Sequence, residues 1–132
     1  MTINGAVIEN EDDLFQYIKT CYIPDLEKSK DPFCGYDCFS KQFKCLIELK
    51  CRRKHYDELL IEKHKYDKLL KYKCKLFYIN STPSGIYMFD VNKISPEWTT
   101  EKKMPHKTDL HIFKKEITKV YGLLKISKSK KI

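Results

Sequence analysis

Between Phe43 and Cys51 the side chains alternate as they do along an extended strand. Phe43, Cys45, Ile47 and Leu49 fall on one face, and Lys44, Leu46, Glu48 and Lys50 on the other. The centre of this run, Cys45-Leu46-Ile47, is apolar on both faces, so the strand is expected to enter a core. It then presents Glu48 and Lys50 two residues apart on one face. Buried charges are costly unless they are paired or bound to a metal. From adjacent positions on one face Glu48 and Lys50 satisfy each other only in part, so a further partner is expected.

Asp37 is the natural candidate. It stands eleven residues before Glu48 in DCFSKQFKCLIELK, on what reads as the other arm of a hairpin. Phe33 to Phe39 has strand character, and Ser40-Lys41-Gln42 reads as the turn. A turn of three to five residues puts Asp37 opposite Leu46 or near it, diagonal to Glu48. A tight two-residue turn leaves the carboxylates roughly 13 Å apart. In the first register two carboxylates and a strand carbonyl converge, a donor set that suits Mg2+ or Mn2+. Such an ion polarises a phosphoryl oxygen and acidifies a bound water. A lysine beside it, here Lys50, orients or deprotonates that water and balances the charge that grows in the transition state.

The rest of the chain supplies a frame. Glu11 to about Leu26 reads as a helix capped by Asn10, with acids in its first turn and Leu14, Phe15, Ile18, Tyr22 and Ile23 at helical steps. Tyr56 to Lys71 has a second helical pattern, with Leu59, Tyr66, Leu69 and Leu70 on one stripe. Leu76 to Ile79, the turn Thr82-Pro83-Ser84-Gly85 and Ile86 to Val91 suggest a hairpin. Ser95 to Thr108 reads as irregular, Leu110 to Leu124 as a last helix, and Lys125 to Ile132 as a frayed tail. The expected order is α-β-β-α-β-β-α: one α/β or α+β domain over 1–132, with a basic C-terminal helix and tail at 109–132.

Charge is distributed unevenly. Residues 1–40 carry eight acids and three lysines, whereas residues 41–132 carry 23 basic and ten acidic side chains. A basic rear two-thirds suggests a polyanion, most simply nucleic acid. Arg52, Arg53 and Lys54 follow the Glu48–Lys50 pair directly and are candidates to grip phosphates. Lys114, Lys115 and Lys119 are candidates for further backbone contacts. The four histidines form no spaced cluster. No apolar run reaches the roughly 20 residues that span a bilayer, and Met1 to Glu11 does not resemble a secretory leader. A cytoplasmic protein is expected, in the host cytoplasm if it is viral.

The sequence of Asp37, an apolar strand, Glu48-x-Lys50 and a following helix resembles the PD-(D/E)XK nuclease superfamily, with its restriction-endonuclease-like fold. The resemblance covers roughly residues 10–91, and Tyr36 stands where many members have proline. It implies that Asp37 and Glu48 bind the metal, that Leu49 lends a backbone carbonyl, and that Lys50 is catalytic. It also implies a further polar residue on the next helix, for which Glu62 and Lys65 are candidates. Asp31 is an outside candidate for the role of Asp37, and Glu9, Glu11, Asp12 or Asp13 could add a ligand. A small phage or mobile-element DNA endonuclease or exonuclease, dimeric and selective for branched or flapped DNA, would fit. Two alternatives remain: a catalytically inactive nucleic-acid-binding module of the same fold, and a zinc-binding interaction protein built on Cys34, Cys38, Cys45 and Cys51. Cys45, inside the apolar strand, favours structural thiols.

Overall fold

A computed structural model describes residues 2–3, 5–103 and 117–132. Its elements in chain order are β1 (Thr2–Ile3), β2 (Ala6–Val7), α1 (Glu11–Cys21), β3 (Glu27–Lys28), β4 (Cys38–Ser40), β5 (Cys45–Cys51), β6 (Glu58–Glu62), α2 (Lys63–Leu70), β7 (Lys75–Thr82), β8 (Gly85–Asp90), β9 (Glu97–Lys103), β10 (Ile117–Lys125), a 3-10 turn (Ile126–Lys128) and β11 (Lys130–Lys131). This is a mixed α+β architecture. The main sheet has six strands in the order β11-β8-β7-β5-β4-β3, and a second sheet has the order β6-β10-β9.

Within the main sheet β5 and β7 run parallel, and every other pair is antiparallel. A parallel pair needs a long crossover, which β6 and α2 supply. The two faces of the main sheet bury different partners. Cys45, Ile47, Leu49 and Ile79 pack with Leu14, Phe15 and Ile18 of α1. Leu76, Tyr78 and Phe89 pack on the opposite side with Leu59, Ile61, Leu69 and Leu124, contributed by β6, α2 and β10. Glu48 and Lys50 are on this second face. α1 begins where the sequence indicates: the Asn10 side chain accepts from the Asp13 N–H at 2.8 Å.

Five elements differ from expectation. Of the strand expected over Phe33 to Phe39 only Cys38 and Phe39 are paired, in β4, and Phe33 to Asp37 form turns and a bend. The helix expected over Tyr56 to Lys71 is a strand followed by a two-turn helix. Leu59 and Ile61 are buried with Glu58, Leu60 and Glu62 turned outward, a period of two that outweighs the helical stripe. The stretch from Ser95 contains β9 rather than irregular chain. Of the expected last helix, the part from Ile117 on is the strand β10, pinned on both sides by β6 and β9. Its β-branched and aromatic residues (Ile117, Thr118, Val120 and Tyr121) suit that role. Leu110 to Phe113, with Lys114 and Lys115, lie outside the described residues. The tail is tied down: Lys130 and Lys131 pair with Met88 and Tyr87.

Candidate active site

The β4–β5 hairpin sets the site. Its register pairs Cys38 with Ile47, Phe39 with Leu46 and Ser40 with Cys45, so the loop is Lys41 to Lys44, within the three to five residues the site requires. Lys44 closes it with φ +53°. Asp25 fixes the turn from outside. Its carboxylate accepts from the Ser40 hydroxyl (2.6 Å) and the Gln42 N–H (2.9 Å), and these bonds hold its pKa below the usual carboxylate range.

Asp37 stands in the bend one residue before β4, next to the Cys38–Ile47 pair, where its charge acts on the Glu48 carboxyl. Its N–H donates to the Ile47 carbonyl (2.9 Å), and its carboxylate accepts from the Leu49 N–H (2.7 Å). The Asp37 side chain thus folds over the backbone next to Glu48. Asp37 is exposed, whereas Glu48 is only 8% exposed. Burial and then the negative charge of Asp37 push the Glu48 carboxyl up to about 7, Lys65 pulls it down, and Glu11 adds a further upward push.

Lys65 of α2 is the cation at the site, with Nζ 3.6 Å from Glu48 Oε1. Lys50 is half-buried on the same sheet face as Glu48 and takes no ion-pair partner among the described residues. Glu62 is engaged elsewhere: it stands at the junction of β6 and α2, and its carboxylate pairs with His64 (3.3 Å) and Lys119 (3.9 Å). The structure therefore brings together Asp37, Glu48, Leu49, Lys50 and Lys65, and does not bring Glu62 to Glu48. Asp31 makes a local turn, its Oδ1 accepting from the Phe33 N–H at 2.9 Å.

Of the basic run after β5, Arg53 and Lys54 are exposed. Arg52 points into the structure. Its Nε donates to Asn80 Oδ1 (2.8 Å), and its Nη2 to the Tyr78 hydroxyl (3.1 Å) and the Leu60 carbonyl. Tyr78 donates to the same carbonyl at 2.8 Å, and burial pushes its pKa up to about 12. This network ties β5, β7 and β6 together beneath Lys50, whose register partner is Asn80. Asn80, Ser81 and Thr82 are fully buried, and the polar run that continues the apolar strand Leu76–Ile79 was the overlooked signal for it.

The cysteines do not form a zinc set. Cys38 and Cys45 are buried in the core, and burial pushes both thiols up. Cys34 lies 2.8 Å from the Ser29 hydroxyl and donates to the Tyr36 carbonyl. Among the described residues no three of His, Cys, Asp and Glu stand together as a metal-ligand group. No described helix is long and apolar enough to cross a membrane.

No protein-family model matches the chain, and no curated protein matches it by sequence. Among solved structures it is similar to Hjc, a Holliday junction resolvase of Archaeoglobus fulgidus. The identity is 15% and the TM-score 0.45, and the match covers 64% of this chain and 78% of that one.

Proposed function

We propose that this protein hydrolyses phosphodiester bonds in DNA, with a divalent cation, Mg2+ or Mn2+, held between Asp37 and Glu48. The observation that carries the proposal is the buried Glu48 carboxylate set against a second carboxylate, with Lys65 as its only ion-pair partner among the described residues. Burial of Glu48 and the neighbouring charge of Asp37 raise the energy of the ionised pair, and a cation between them offsets that cost. Two acids and a strand carbonyl, that of Leu49, leave room for the waters and phosphate oxygens that Mg2+ retains. When bound, the ion supplies Lewis acidity to the phosphoryl oxygen and to a water.

The protein side chains do the rest. Lys50 holds a water or phosphate oxygen beside Glu48, on the same sheet face. Lys65 lowers the Glu48 pKa and so partly offsets the upward push of burial and of Asp37. Exposed Arg53 and Lys54, at the end of β5, hold the backbone flanking the scissile bond. Arg52 has the separate task of locking β5 to β6 and β7. The hairpin that carries the acids, the crossover and the parallel β7 give the order of a restriction-endonuclease-like core, as the sequence resemblance implies. One site per chain and two DNA strands favour a homodimer.

The test incubates linear, circular and branched DNA with wild type, Asp37→Asn and Lys50→Ala, in Mg2+, Mn2+ or EDTA. Cleavage by wild type that both variants and EDTA abolish is the expected result. Equal cleavage by all three proteins points to a contaminant and ends the proposal.

A further inference from the structure

Trp98 is the single tryptophan of the chain and stands 41% exposed on β9. Its register partner on β10 is Gly122. A Cβ added there would lie 2.5 Å from Pro96 Cβ and 2.9 Å from Trp98 Cζ3. The missing side chain is what lets the indole lie down on the strand. Tyr66 meets the ring edge-on at 5.2 Å, and the Lys63 ammonium sits 4.9 Å from its centroid. Both belong to α2, as does Lys65. The first turn of α2 therefore touches the Glu48 carboxylate with one side chain and frames the exposed indole with its neighbours.

We infer that Trp98, framed by Lys63 and Tyr66, is a stacking site for an unpaired base of a DNA strand whose backbone passes the Asp37–Glu48 pair. The inference rests on the nuclease reading of that pair and adds a preference for unpaired DNA. An indole offers a flat apolar face that any base can cover, and stacking of this kind is tolerant of sequence. Bases inside a duplex already spend their faces on each other, so an intact duplex cannot use the site. Lys63 is held by Asp67 at 3.0 Å, and its side chain is 45% exposed. A long, half-exposed lysine can exchange that carboxylate for a phosphate when a base takes its place over the ring. The 23 basic residues after residue 40, against ten acidic ones, supply the general attraction for the strand.

Covering Gly122 needs only an apolar side chain, whereas stacking needs the indole, so Trp98→Leu separates the two roles. The probe is a thymidine oligonucleotide of about 15 residues, long enough for one binding site, alone or annealed to its complement. Binding is followed in EDTA, which prevents cutting, by the fluorescence of Trp98 and by anisotropy of a labelled strand. The expected result is quenching of Trp98 by the single strand and not by the duplex, with about tenfold weaker single-strand binding by folded Trp98→Leu. Absence of quenching, equal quenching by the duplex, or unchanged affinity of Trp98→Leu overturns the inference. Failure of the nuclease reading appears separately, as absent cleavage in Mg2+.

Discussion

Replacing Glu48 by glutamine is expected to make the protein more stable at neutral and alkaline pH while removing its activity. Glu48 titrates at about 7 in the fold and near 4.5 in an unstructured chain. Because the folded value is the higher one, the fold prefers the protonated carboxyl. Its contribution to stability is present in full below about pH 4.5 and is lost as pH rises through about 7. Above that range the wild type carries a penalty of about 3 kcal/mol that a neutral carboxamide of the same shape does not. Urea unfolding of wild type and Glu48→Gln, both in EDTA, measures it. The two stabilities should nearly coincide at the acidic end and separate progressively toward alkaline pH, with the glutamine variant ahead. Lysines and surface acids titrate alike in both proteins and cancel in the difference. A constant offset between the two proteins, or a glutamine variant less stable at alkaline pH, would refute the reasoning, since it would mean that burial and Asp37 do not oppose the ionised form.

Other outcomes follow from the same geometry. Adding Mg2+ near pH 7 should release protons and raise the melting temperature of wild type, because the cation favours ionised Glu48; Asp37→Asn should show neither effect in calorimetry. Arg52→Ala removes three hydrogen bonds among Asn80, Tyr78 and Leu60 and should cost about 3 kcal/mol in denaturant unfolding. If Arg52 instead grips phosphate, stability will be unchanged and only DNA affinity will fall. Gly122→Ala drives a Cβ against Pro96 and Trp98 and should cost about 1–3 kcal/mol, with a shift in tryptophan emission as the ring is lifted. Emission identical to wild type would contradict the packing of the indole on β10.

The parts of the site legible in the sequence are those fixed by local pattern. The two-residue period of Phe43 to Cys51 locates the buried strand and puts Glu48 and Lys50 on one face. The distance from Asp37 to Glu48 allows their meeting, given a turn of the right length. What local pattern does not contain is Asp25, which comes from a distant loop to bond Ser40 and Gln42 and so holds the turn at four residues. The destiny of Arg52 was hidden for the same reason: its partners lie on β6 and β7, and a basic run reads the same whether one member turns inward or all face solvent. Ile117 to Lys125 illustrates the converse. Its apolar residues fit a helical stripe as well as a strand, and pairing with β6 and β9 decides between them.

The placement of the acids also explains why the hairpin sits where it does. Glu48 is on the face covered by α2 and β6, not on the face covered by α1, so the helix that closes over it comes from the crossover between β5 and β7. A parallel pair cannot be made without such a crossover, and the crossover delivers Lys65 to the carboxylate. Had β7 been antiparallel to β5, a short hairpin would have sufficed and Glu48 would have lacked both its cover and its cation. The connection that the sheet topology demands is thus also the one that raises the Glu48 pKa by burial and limits the rise with a lysine. Inserting residues at the Glu62–Lys63 junction, where β6 passes directly into α2, should therefore act on the titration of Glu48 before it acts on the sheet. In carboxyl-resolved NMR, a loosened α2 lets water reach the carboxyl, which lowers its midpoint, and withdraws Lys65, which raises it; burial is the larger cause, so the midpoint should move down. A midpoint still at about 7 with α2 displaced would mean that burial under α2 is not the larger influence on Glu48.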